Sequence, residues 1–121
     1  MAETLDDRYR RLLARQLAMN EKTWAVLEAR GVNETTELRL DFFYFAPDLV
    51  SAEALKAVLD EQTDYDVSIE PNSTPGVAPF SVVGSTQSTT VSAAILDQWV
   101  DWMVTAGLHQ NCEFDGWGAE A

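Results

Sequence analysis

Beyond Lys56 the chain has no lysine and no arginine, although it runs on to residue 121. Ten acids against no bases give that stretch −10 of the total net charge of −12. Affinity for nucleic acid depends on Lys and Arg neutralising phosphates, which this half cannot do, and the same deficit argues against an anionic membrane surface. Cysteine is nearly absent: Cys112 stands alone, which excludes an internal disulfide. Histidine is equally scarce, with His109 the single example. There is no glycine-rich phosphate loop and no GxSxG element. The first twenty residues mix Asp, Glu and Arg with no apolar run, so neither a signal peptide nor a membrane span is expected. Together these absences lead to the expectation of a soluble, cytoplasmic, non-enzymatic protein that needs no cofactor or metal.

What remains is enough for one domain, here taken as residues 1–121, which buries roughly two-thirds of the surface its unfolded form exposes. The acidic balance is compatible with plain solubility and with a basic protein partner, one that otherwise binds RNA. The stretch that organises the rest is Glu37 to Phe45, closed by Ala46 and Pro47. Alternation puts Leu38, Leu40, Phe42 and Tyr44 on one face and Phe43 and Phe45 on the other. Being apolar on both faces, its second half suits a central strand with cover on at least part of each. Pro47 ends it.

Residues 4–30 read as an amphipathic helix with a stripe of Tyr9, Leu13, Leu17, Trp24 and Leu27, stopped by Gly31. At about 40 Å such a helix exceeds what a small domain covers. Its first part, residues 1–19, is therefore expected to project, to kink near Asn20, or to pack on a second copy as a homodimer. Arg8, Arg11 and Arg15 share a face, balanced by Glu3, Asp6 and Asp7. After Pro47 a second helix, capped by Asp48 or Ser51, runs to about Gln62 and buries Leu55, Val58 and Leu59. Residues 65–70 form a half-exposed strand, residues 71–79 a Pro/Gly loop expected to be the mobile segment, and residues 80–87 a third strand. A cap at Ser88, Thr89 or Thr90 opens the last helix, which carries Ile95, Leu96, Trp99, Trp102 and Met103 on its apolar side and ends at Gly107. Residues 111–114 are strand-like, and Asp115-Gly116-Trp117-Gly118 makes a closing turn.

After the leading helix the pattern strand–helix–strand therefore occurs twice. Two such units interleave as one antiparallel sheet with both helices on one face, the split βαβ arrangement. The leading helix is expected at an end of that sheet or over its open face, covering Phe43 or Phe45.

Catalytic groups are sparse. His109 and Cys112 lie three residues apart, but a nucleophile–base or metal pair requires spatial closeness and further ligands. They read as a surface histidine and a small half-buried thiol. Asp97 and Asp101 sit one helical turn apart, a spacing that could serve acid–base work or Mg²⁺ only inside a cleft. Beside Trp99 and Trp102 they read as the wet face of the helix. Trp117, between two glycines, either plugs the end of the sheet or stands out as an interface anchor.

Phe114-Asp115-Gly116-Trp117-Gly118 resembles the (Tyr/Phe)-Asp-Gly-Trp-Gly signature of the regulator of ribonuclease activity B family, inhibitors of ribonuclease E. Asn20 to Gly31 is similar to the family's leading helix, closing on Leu-x-x-x-Gly. Leu38 to Pro47 is similar to its first strand, and the resemblance spans residues 20–118. It implies a ferredoxin-like α/β sandwich (βαββαβ, four-stranded antiparallel sheet) with an added N-terminal helix. It also implies a bacterial protein that binds an endoribonuclease and restrains RNA decay without being an enzyme. On this reading Asp97, Asp101, Asp115, Gly116, Trp117 and Gly118 form the contact surface for a basic protein, ribonuclease E or a relative of it. An interaction module of the same fold with a different basic target, such as an immunity- or stress-type protein, is the second reading.

Overall fold

Burial on one face and pairing on both edges make Leu40–Ala46 (β2) an inner strand. The computed structural model describes residues 3–119. Within it, β2 lies between Phe80–Ser85 (β4) and Glu113–Ala119 (β6), and Asp66–Pro71 (β3) pairs with the far side of β4. Every pairing is antiparallel, in the order β3-β4-β2-β6. Helix Leu49–Gln62 (α2) joins β2 to β3, and helix Ala93–His109 (α3) precedes β6. Each strand–helix–strand unit thus holds a strand of the other between its own two. Asp48 caps α2, its carboxylate accepting from the Ser51 amide at 2.7 Å, and that bond holds its pKa below the usual range.

Phe42 and Tyr44 are fully buried on the helix side, with Val82, Phe114, Leu55, Leu59 and Met103. Tyr44 is fixed by its hydroxyl, which donates to the Met103 carbonyl at 2.7 Å, and by an edge contact with Phe114. The alternate face behaves otherwise. Phe43 is 44% exposed, so the expected cover over the second face is not there. Leu5–Ala29 (α1) lies instead beside α3 and against β6, on the same side of the sheet as α2 and α3.

Helix α1 runs unbroken through Asn20 and neither kinks nor stands clear of the domain. Its inward line is Leu12, Gln16, Asn20 and Leu27, with Tyr9, Leu13, Leu17 and Trp24 only half-buried, so the expected stripe is rotated. A second core accounts for its length. Leu27 meets Val32, Leu38, Leu40, Val91 and Leu96 there, with Trp24 packed alongside. That core sits under a two-stranded ribbon of Glu37–Leu38 (β1) and Thr89–Thr90 (β5). Gly31, at φ +92°, closes α1 as expected: the Val32 amide donates back to the Leu27 carbonyl at 3.0 Å.

The ribbon also corrects the start of α3. Thr89 and Thr90 pair with Leu38 and Glu37, and the cap is Ser92, whose Oγ accepts from the Ile95 amide at 3.2 Å. Val91 is thereby spent in the second core before the helix begins. The buried side of α3 is Leu96, Val100, Met103, Val104 and Leu108, while Ile95 and Trp102 stay exposed. Gly107 is inside α3, not its stop. The left-handed residue there is Asn111, at φ 57°.

Candidate protein-binding surface

The residues expected to form the contact surface divide between two faces. On the helix side, α1 and α3 run antiparallel and meet through a line of polar side chains. Tyr9 donates from its hydroxyl to Asp101 at 2.7 Å, which raises the phenol pKa. One end of Asn20 donates to Asp97 at 3.1 Å, and its oxygen accepts from the Trp117 indole at 2.7 Å. Gln16 donates to the carbonyl of Asp115 at 3.1 Å, leaving its own Oε1 buried without a partner. Trp117 packs edge-on against Trp99, ring centroids 6.2 Å apart. Asp97, Asp101 and Trp117 are therefore engaged by α1. The two aspartates share a face, as their spacing predicts, and that face looks onto α1, where Asp97 lines a groove of about 440 Å³ with Asn20 and Trp24 while Asp101 is held by Tyr9. Periodicity missed Gln16 and Asn20 because polar side chains interrupt an apolar stripe, and only their partners on α3 and β6 explain them.

The other three residues lie along β6, which continues as a strand where a closing turn was expected. Asp115 is the extra residue of a bulge between the pairs Phe43↔Gly116 and Tyr44↔Phe114. Such an insertion re-aims the side chains beyond it. Gly116 takes φ +153°, a backbone that favours glycine. Trp117 then pairs with Phe42 on the helix side and Gly118 with Asp41 on the open side, while Gly116, paired with Phe43, is buried, a Cβ there pointing toward the Gln16 Oε1 at 4.0 Å.

Register orders the open side into rows. Ser68, Val83, Phe43 and Gly116 form the middle one. Asp66, Ser85, Asp41 and Gly118 lie on one side of it. Glu70, Ser81, Phe45 and Glu113 lie on the other. No lysine or arginine stands in the rows. Arg39 reaches Asp66 from the edge at 3.2 Å, and Arg8 and Arg11 approach Glu113 at 3.3 and 3.5 Å. Asp41 accepts from Ser85 at 2.6 Å. Around Phe43 lies a shallow groove of about 460 Å³, floored by Val83 and Gly84.

Burial, reinforced by the charge of Asp48, pushes the Cys112 thiol up to about 11, so it is protonated at neutral pH. His109 is exposed at the end of α3. Among the described residues no three His, Cys, Asp or Glu side chains gather as metal ligands, and no helix is long and apolar enough to cross a membrane. Over the described residues the molecule is an α+β protein of three helices and antiparallel sheets with one helix-covered face and one open, acid-bordered face. No protein-family model and no curated protein matches the chain.

Proposed function

We propose that this chain is a cytoplasmic regulatory protein of the regulator of ribonuclease activity B kind, with a ferredoxin-like core. On this reading it acts by binding a basic endoribonuclease, ribonuclease E or a relative, and lowering its activity on RNA without catalysing a reaction itself. Strand order β3-β4-β2-β6 with the two interleaved units supports the fold part of the proposal. The observation that carries the functional part is the charge asymmetry: ten acids and no Lys or Arg after residue 56. An acidic protein competes with RNA for Arg/Lys-rich segments, associates quickly with them, and loses the contact as salt rises.

The test is affinity purification of the tagged protein from its own host at two salt concentrations, followed by an RNA-cleavage assay with the recovered nuclease. Recovery of a ribonuclease E-type enzyme, its release by salt, and slower cleavage in the presence of the protein are expected. Undiminished cleavage at saturating protein refutes the regulator reading. Recovery of a different basic protein moves the fold to the second reading.

A further inference from the structure

We infer that the open face of the sheet is the docking surface, and that its occupant is a cationic amphipathic helix of the protein partner. The inference rests on the reading of this chain as a binder of a basic protein and adds where and what it binds. Phe43 is 44% exposed in the middle of an inner strand, on the face of the sheet that no described helix covers, and a contiguous apolar patch on such a face marks an interaction site. Val83 continues the apolar strip across β4, and Phe45 continues it along β2. On β6 the open position beside this strip is Gly118, while Gly116, paired with Phe43, is itself buried. A Cβ built on Gly118 meets nothing within 4 Å.

Carboxylates border the strip at a spacing that selects the occupant. Asp41 and Glu70 fall in the rows on opposite sides of the Phe43 row, four residues of strand apart. The two rows are roughly 13 Å apart, wide enough to seat a helix with its side chains between them, and the two carboxylates, also two strands apart, face each other diagonally across the strip. A helix laid on the strip puts its apolar side on Phe43 and Val83 and its Arg or Lys residues over the bordering acids. An extended peptide instead pairs along a sheet edge and leaves the strip bare. The charge pattern also rejects other occupants. A nucleic acid or an anionic membrane meets carboxylates with no cation in the rows. A second copy related by a two-fold axis brings the same acids against each other.

The probe is a synthetic 18-residue peptide with leucines on one helical face and arginines elsewhere. A peptide of the same composition, permuted so that the leucines share no face, serves as the comparison. Isotope-labelled full-length protein is titrated with each and followed by amide chemical shifts. Shifts centred on Phe43, Val83, Gly116 and Gly118, with the permuted peptide at least tenfold weaker, are expected. Phe43→Ser weakens the amphipathic peptide tenfold or more, and Gly118→Arg does the same without touching a buried residue. Val50→Ser, at an α2 position that is 77% exposed, changes it less than twofold. Equal binding of the two peptides, or shifts centred on α2 or α3, overturns the inference. The two failures are separable. A peptide that docks on this face while no nuclease is inhibited leaves the surface standing and removes the partner. A nuclease inhibited equally by the Phe43→Ser and wild-type proteins removes the surface and leaves the partner.

Discussion

Gly107→Ala decides what a helical glycine near a terminus is for. A Cβ built there lies 2.6 Å from Cε1 and 3.0 Å from Cδ1 of Tyr44, and 3.0 Å from the carbonyl oxygen of Cys112. Neither neighbour can yield easily. The Tyr44 ring is fully buried, held edge-on by Phe42 and Phe114, and tied by its hydroxyl to the Met103 carbonyl. The Cys112 carbonyl belongs to a tight turn in which the Cys112 amide donates to the Gly107 carbonyl at 2.8 Å. Overpacking a core costs about 1–3 kcal/mol, and with neighbours this fixed the cost falls in the upper part of that range, about 2–3 kcal/mol. Alanine returns up to about 1 kcal/mol through its better helix propensity. The net expectation is a loss of about 1–2 kcal/mol. For a chain of this size the unfolding entropy is roughly 250 cal/mol/K, so each kcal/mol moves Tm by about 4 °C. Thermal and urea unfolding should therefore show a fall of roughly 4–8 °C, and Tyr44→Leu in the same chain should reduce the added cost of Gly107→Ala. If Gly107→Ala leaves Tm unchanged or raises it, the glycine is an unoptimised helix residue and the packing argument is wrong.

Two further outcomes concern buried groups. Trp117→Phe keeps a ring against Trp99 but deprives the buried Asn20 oxygen of its donor. It should cost about 1–3 kcal/mol in urea unfolding, with amide exchange fastest in α1. The Cys112 thiol has a folded pKa of about 11, above the roughly 8.5 of an unfolded thiol. A raised pKa means that the neutral form is favoured by folding. Its contribution is whole below the unfolded value and is lost as pH rises through about 11, by about 3 kcal/mol at most. Urea midpoints from pH 8 to 11 should fall less steeply for Cys112→Ala. The residual fall has a source in Tyr44, whose buried hydroxyl is also raised. Identical slopes for the two proteins remove Cys112 from the account.

The elements that depend on local chemistry are legible in the order of residues alone. Asp48 as a cap, Gly31 as a stop and the inner position of Leu40–Ala46 each come from a few adjacent residues. The failures share a cause, which is that the deciding partner lies far away along the chain. Gly107 looks like a helix stop until Tyr44, 63 positions earlier, is placed against it. Thr89 and Thr90 look like caps until Glu37 and Leu38 pair with them. Phe43 looks like a residue needing cover because periodicity reports which face a side chain is on and not whether anything lies over that face. Of the candidate contact residues, Asp115 to Gly118 read as a closing turn from the sequence, whereas they continue strand β6. The sequence could not assign their sides, because one inserted residue reverses them.

That inserted residue links the two faces of the protein. Phe114 points to the helices. In an unbroken strand, positions 116 and 118 would follow it there, and position 117 would lie on the open face. The bulge at Asp115 shifts the alternation by one, so that Trp117 enters the seam with Asn20 and Trp99 while Gly118 falls on the open side, in the row next to Phe43. Gln16 steadies the insertion from α1 by donating to the Asp115 carbonyl, and Gly116 supplies the backbone conformation it needs. The order Asp-Gly-Trp-Gly is thus one solution to two demands. The helix side requires a large ring with a donor at one point of an edge strand, and the open side requires bare backbone at the position after it. A larger residue at 118 would leave the seam intact and fill the space beside Phe43. The same four residues therefore secure α1 to the sheet and keep the proposed docking strip clear.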